Sequence, residues 1–429
     1  VFVNLLKANP TNMPPIGYSY ASKHDWELRI ENGEGTLASL NEKTVFVPSG
    51  KKASNNISPF PFLGDIGYVL GRSAKGTEKD IKRAEKKHKA FIELSQKIYE
   101  ETSLPEIAEF LDWIRGGKRL TNEEVLASVM GKLIITVNGK MLVGTEEVME
   151  WWKKELPSVS EWSPGQCSIC GKKDAKILAR LLHPLTGVAS SSLSYSSASG
   201  TRPNSNAYST GKLSNSENCA ICLECSDKIG RTFNALVRSQ ENFKRISAGD
   251  TTFYYLFWTT KALPYTDLIF DGIPDTSSLL DVKKMIEQIY IGKKDIEVED
   301  TFYLLSFVPN QARMFFNLSL KNSLSNVEEN ILQWFKTIEA AHEMVGEHKS
   351  GWIMTLKNIL WALSNEGKEW GWISAFVVNN IIESYFLGKR LSNVIIERCY
   401  HLLSKRLTWK ARLILLVLVY MWLGVDKIS

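Results

Sequence analysis

Five of the six cysteines fall between residues 167 and 225, as Cys167-Ser-Ile-Cys170-Gly and Cys219-Ala-Ile-Cys222-Leu-Glu-Cys225. Two thiolates three residues apart can share one tetrahedral metal, and a second such pair completes the coordination sphere. A site with four sulfur ligands has no open position, so zinc held there shapes a loop-rich insertion and does not activate water. An amphipathic pattern, Ser226–Arg238, follows Cys225 directly and puts the second knuckle at a helix N-terminus, a treble-clef-like arrangement. The expected ligands are Cys167, Cys170, Cys222 and Cys225, with Cys219 as the alternate in the second pair.

Little else in the chain resembles reactive machinery. It has no glycine-rich phosphate loop ending in Lys-Ser/Thr, no His-Glu-x-x-His pair and no Gly-x-Ser-x-Gly elbow. His183 and the scattered acids form no recognisable general acid–base constellation. The expectation is a binding protein and not an enzyme. A competing class is a zinc-dependent hydrolase or nuclease in which His183 replaces a fourth cysteine beside a metal-bound water. Another is an adaptor that binds only proteins.

Cations are concentrated where they can serve binding. Thr77–Ile98 has helical periodicity, with Ile81, Ala84, His88, Phe91 and Ile92 on one face. Lys79, Lys82, Arg83, Lys86, Lys87 and Lys89, taken with Arg72 and Lys75, set eight cations against Glu78, Asp80 and Glu85. Such a run is either a solvated helix face or a track along a polyanion. A polar patch, Ser49–Asn56, carries Lys51, Lys52, Asn55 and Asn56; the Ser/Asn/Gly-rich stretch Gly187–Asn218 carries Arg202, Asn204 and Asn206. That stretch has too few apolar residues for a core and reads as a long surface loop or arm braced by the zinc knuckles. Lys51, Lys52, Arg72, Lys75, Lys82, Lys86 and Arg202 suit phosphate contacts, whose affinity falls with salt. Asn55, Asn56, Asn204 and Asn206 suit base edges in a groove. Arg313 is expected to fix the hairpin it sits on, or a neighbouring subunit, and not to touch DNA.

The elements that must position these groups give an α+β chain of 429 residues, 44% hydrophobic, long enough for roughly two or three domains. Residues 1–155 read as a mixed α/β domain: short strands at Trp26–Ile30 and Thr44–Pro48, the cationic helix and a second helix at Pro105–Arg115. A strand pair turning at Asn138-Gly139 and the tryptophan-rich helix Glu146–Leu156 complete it. Residues 156–240 form the zinc-knuckle insertion. In 241–345, strands at Thr251–Thr260, Thr301–Val308 and Met314–Leu320 precede a helix at Val327–Ala340, a strand–strand–helix order that suggests half of a ferredoxin-like unit. Residues 346–429 read as a C-terminal antiparallel helical bundle with a basic outer face. The apolar run Leu413–Val425 is shorter than the ~20 residues that cross a bilayer and reads as a buried helix. Clustered cysteines without a disulfide framework, and no secretion signal in the first residues, make the cytoplasm the expected compartment.

The order of elements resembles the large subunit of type I-C CRISPR Cascade, an RNA-guided DNA surveillance complex. The matching stretches begin with Pro15-Ile16-Gly17-Tyr18, Phe62-Leu63-Gly64-Asp65-Ile66-Gly67-Tyr68-Val69-Leu70-Gly71 and Leu182-His183-Pro184-Leu185-Thr186-Gly187-Val188. Gly249-Asp250-Thr251-Thr252 before Phe257-Trp258, Phe307-Val308-Pro309-Asn310-Gln311-Ala312-Arg313 and Ile381–Arg390 with Arg412 follow in the same order. The paired knuckles are also similar to those in large subunits of neighbouring type I subtypes. The resemblance implies a non-catalytic subunit that reads the protospacer-adjacent motif on duplex DNA and helps open the strands. Its implied partners are CRISPR RNA, target DNA with its displaced strand, the other Cascade subunits and a recruited helicase-nuclease. No membrane is involved. In that division of labour the protein reads the short motif and base pairing reads the target, as in another RNA-guided effector.

Overall fold

In the computed structural model, residues 2–10, 12–40, 44–50, 57–73, 76–160, 162–178, 181–183, 185, 220–239, 242–248, 251–259, 301–310, 313–344, 356–364, 375–405 and 408–423 are described. After a short helix α1 (Phe2–Leu5), strand β1 (Tyr18–Tyr20) pairs antiparallel with β4 (Phe46–Pro48). Between them β2 (Trp26–Glu31) and β3 (Glu34–Ser39) form a hairpin, and β2 turns Leu28 and Ile30 fully inward. Strand β5 (Leu63–Gly64) and helices α2 (Ile66–Val69), α3 (Glu78–Thr102) and α4 (Pro105–Arg115) lead to β6 (Leu133–Val137). All five residues of β6 are buried, as suits a strand covered on both faces. It runs parallel to β2, with α3 and α4 in the connection that a parallel pair requires. The sheet order is β3-β2-β6-β5, and β7 (Lys140–Met141) folds back on β6. Asn138 and Gly139 make that reversal at φ +48° and +76°, the left-handed pair expected of an Asn-Gly hairpin.

The long cationic helix is capped by Thr77, whose hydroxyl accepts from the Asp80 amide. Its buried positions are Ala84, Phe91, Ser95 and Ile98. Ile81, expected on the same face, is 43% exposed, because the apolar contact begins one turn later, where Ala84 meets α2. Phe62, Phe91 and Phe110 pack edge to face beneath the sheet. Helix α5 (Glu146–Val159) buries Trp152 completely.

The insertion contributes the hairpin β8 (Trp162–Gly165)/β9 (Ala175–Leu178) and helix α6 (Leu223–Arg238). Strands β10 (Phe243–Ala248), β11 (Thr251–Trp258), β12 (Thr301–Asn310) and β13 (Arg313–Ser323) form an antiparallel sheet in sequential order. Helix α7 (Leu324–Met344) follows. The expected strand–strand–helix order is present, but among the described residues the strands form a meander, without the interleaving of a complete ferredoxin-like sheet. Arg313 pairs with Asn310 in backbone register at the hairpin end. One side of the sheet shares a core with the insertion, in which Phe233 of α6 meets Phe307.

Its other side meets α7 and the helices α8 (Leu356–Leu363), α9 (Ala375–Leu387), α10 (Asn393–Leu403) and α11 (Trp409–Leu423). Seven residues of α11, from Ala411 to Val419, are buried on several sides of the helix, and it packs against α7, α8 and α10. An almost entirely apolar helix is the central member of such a group. No helix among the described residues is long and apolar enough to cross a membrane.

Candidate metal centre and nucleic-acid interface

The hairpin and α6 bring Cys167, Cys170, Cys222 and Cys225 together, with all four sulfurs within 4.8 Å of one another. Tetrahedral zinc with Zn–S of about 2.3 Å requires sulfur separations of about 3.8 Å. The Cys170–Cys222 separation is 3.9 Å, so the donor set fits. The first knuckle is a tight turn: the Gly171 amide donates to Cys167 O at 2.9 Å, with Gly171 at φ +75°. Cys222 is the N-cap of α6 and Cys225 lies in its first turn. Ser168 N and Oγ both donate to Ala220 O, and Leu178 N donates to Ile221 O, pinning the two knuckles side by side. Burial opposes ionisation of Cys167, but backbone amides of Cys170, Cys222 and Ile169 outweigh it and lower its pKa to about 6. Burial raises Cys222 and Cys225, so these thiols favour the thiolate form only when a cation joins them. Cys219, the alternate ligand, lies outside the described residues.

One turn further along α6 is a second construction, a buried polar knot that the sequence did not reveal. The Asp227 carboxylate accepts the Gly17 amide at 2.8 Å, His183 Nε2–H at 2.8 Å, and Arg231 Nε–H and Nη2–H at 2.7 and 2.6 Å. Arg231 also donates to Pro14 O at 2.8 Å. Since a carboxylate only accepts, His183 Nε2 carries a proton toward Asp227, and Nδ1 lies 3.1 Å from Ser49 Oγ. Trp152 Nε1 donates to Gly17 O and Ser49 O, joining α5 to the same point. Asp227 is 3% exposed, Arg231 7% and His183 0%. Burial raises the Asp227 pKa, but the hydrogen bonds and charges of His183 and Arg231 prevail and hold it below the usual carboxylate range.

Two glycines permit this approach. A Cβ on Gly230 would lie 2.7 Å from His183 Cβ, and Gly17 sits at φ +77° with the Trp152 ring 3.1 Å from where its Cβ would be. Ser49, His183 and Asp227 are hydrogen-bonded in the order of a nucleophile, base and orienting acid. However, Ser49 is only 9% exposed and Arg231 neutralises the acid, so the geometry is that of a structural junction. Both His183 nitrogens are engaged here, and the histidine is not part of the sulfur group. The competing reading, in which His183 replaces a fourth cysteine, is not the arrangement found, and the four expected cysteines form the group. The sequence signal was an Asp and an Arg four apart on the inner face of α6, facing a histidine in an apolar Leu-His-Pro-Leu run.

Of the residues assigned to nucleic acid, Arg72, Lys82 and Lys86 are described. Lys51, Lys52, Asn55, Asn56, Lys75, Arg202, Asn204 and Asn206 lie outside the described residues. Lys82 and Lys86 are exposed on α3; Lys82 pairs with Glu78 at 2.6 Å. Lys87 is instead turned inward, bonded to Asp65 at 2.6 Å and lying 4.9 Å from the Tyr68 ring centre. In the C-terminal helices Arg390 and Arg398 serve as braces, donating to Trp422 O and Leu363 O. Lys410 and Arg412 are exposed at the start of α11, beside exposed Trp409.

A comparison with curated proteins finds no significant match. The family described as CRISPR-associated protein (Cas_Csd1) matches residues 3–420, a span that includes the sulfur cluster, the buried knot and the basic helix. Such membership supports the role of large subunit in a Cascade-type complex and implies partnership with other Cascade components and nucleic acid. The chain belongs to the Cas_Csd1 family of CRISPR-associated proteins.

Proposed function

We propose that this chain is the non-catalytic large subunit of a type I-C Cascade, working in the cytoplasm. In this reading it recognises the protospacer-adjacent motif on duplex DNA, assists strand opening and recruits a helicase-nuclease. The family match over residues 3–420 carries the proposal. The exposed cations of α3 support it, because a row of lysines on one helix supplies sequence-independent phosphate affinity. Zinc bound by Cys167, Cys170, Cys222 and Cys225 would supply folding energy and no chemistry. The C-terminal helices would support the displaced strand.

The deciding experiment is co-purification followed by DNA binding. A repeat-derived RNA and backbone subunits should accompany the chain, and the assembly should prefer duplexes that carry one short motif. Recovery without RNA, or hydrolysis of DNA by the isolated chain that depends on His183, would reject the proposal.

Changing Lys82 and Lys86 together to glutamine should weaken binding equally on all duplexes. The slope of log affinity against log salt should fall by about 1.8, the value for two lost phosphate contacts. A loss confined to particular motifs would remove these lysines from the phosphate-binding set.

A further inference from the structure

Side chains from three elements converge on the turn after α2. His88 on α3 places Nδ1 2.8 Å from Tyr68 O, and Lys118, from the loop after α4, donates Nζ–H to Leu70 O at 2.9 Å. Both therefore grip the carbonyl end of α2. Gly71 follows at φ +69°, so close to His88 that a Cβ would lie 3.1 Å from its ring. The next residue is Arg72, which is exposed.

Lys118 is held in place by more than its side chain. Its backbone is left-handed at φ +57°, uncommon for a residue with a Cβ, and its amide donates to Trp113 O at 3.2 Å. The ammonium is part-buried, and its pKa is lowered by that burial and then by the charge of Arg72. Among the described residues no carboxylate comes within ion-pair distance of Lys118. Glu123 reaches only Arg72, from a side chain that is itself 60% exposed. The fold thus holds the Lys118 ammonium on Leu70 O, two residues from Arg72, partly removes the water around it, and among the described residues provides a single solvent-exposed counter-charge. Such an arrangement is unfavourable without a further anion, and perturbed groups of this kind concentrate at binding sites.

We propose that Arg72 and Lys118 together bind one backbone phosphate of nucleic acid, and that the Glu123 carboxylate occupies the phosphate's place on Arg72 until then. The inference rests on the nucleic-acid role proposed above and adds Lys118 and Glu123 to it. A guanidinium offers a phosphate paired N–H donors, and a fixed ammonium adds a point charge. An exposed Arg–Glu pair is weak enough for a phosphate to displace.

The test uses the full chain in its assembled complex and a labelled duplex of arbitrary sequence, with anisotropy followed across a salt series. Glu123→Gln should tighten binding about two- to fivefold on every duplex, the scale of one exposed ion pair. Arg72→Gln should weaken binding and lower the salt slope by about 0.9, and adding Lys118→Gln should lower it little further, because both contact the same phosphate. In the Arg72→Gln background, Glu123→Gln should have no effect.

An unchanged affinity for Glu123→Gln would overturn the competition. A slope lowered by about 1.8 in the Arg72/Lys118 double variant would overturn the shared phosphate. Because Arg72 and Glu123 are both exposed, their cycle decides the matter even if Lys118→Gln fails to fold. If the unaltered complex bound no duplex, the broader role would fail with it; normal binding that ignores Glu123 would remove only this site.

Discussion

Replacing Asp227 with alanine destabilises the chain by about 3–5 kcal/mol, the range seen when one partner of a buried ion pair is removed. Four donors lose their acceptor in one step, and Arg231, 7% exposed, keeps only the Pro14 carbonyl. The effect reaches across the fold because Gly17 and His183 come from segments 210 and 44 residues away. Asp227→Asn should fall in between, since an amide keeps the shape but lacks the charge and turns one acceptor into a donor. As a control, Asp112→Ala removes an exposed carboxylate three residues from Arg115 and should change stability by less than about 0.5 kcal/mol. Denaturant unfolding of the three variants measures the differences.

The same variants carry a pH signature. The folded-state pKa of Asp227 is below its unfolded value, so its contribution is complete above the unfolded pKa, about 3.9, and is lost as pH falls through the folded one. The gap between the native chain and Asp227→Asn should therefore be constant near neutrality and narrow below about pH 4. An unchanged gap at pH 3 and pH 7 would mean that the carboxylate's charge is not what stabilises the junction.

Cys222→Ser should have the other large effect. The purified chain is expected to carry about one zinc, and this variant close to none. A four-sulfur zinc site is worth on the order of 10 kcal/mol to a small domain. Its loss here should appear as rapid amide exchange in β8, β9 and the first turns of α6. Because Asp227 follows Cys225 by two residues, protection should also fall around Gly17 and Ser49. Cys399→Ser, in the separate C-terminal core, should leave the zinc content unchanged. Native protein without zinc, or a Cys222→Ser variant with unaltered exchange, would contradict the assignment.

Much of this was legible in the sequence because the signals were local. Cys-x-x-Cys spacing, the helical periodicity that begins at Thr77 and the Asn138-Gly139 reversal each act within a few residues. Each is observed where expected. The apolar helix near the end also packs in a core as its composition requires. The junction around Asp227 was not legible, because apart from Arg231, one turn on, its members are separated by 44 to 217 residues and no periodicity links them. A buried histidine and a surface histidine look alike in a sequence. Lys118 was missed for a related reason: its importance comes from a left-handed backbone and from Arg72 beside it, neither of which spacing encodes.

The bond from Arg231 to Pro14 also sets a timetable for synthesis. At ~5–20 residues per second, the ribosome needs roughly 10–40 s to make the 217 residues between them. Throughout that interval the nascent amino-terminal strand has emerged without the donors and acceptors that will seal it. A chaperone that shields exposed strands should therefore engage this polypeptide early and release it only after α6 has been translated.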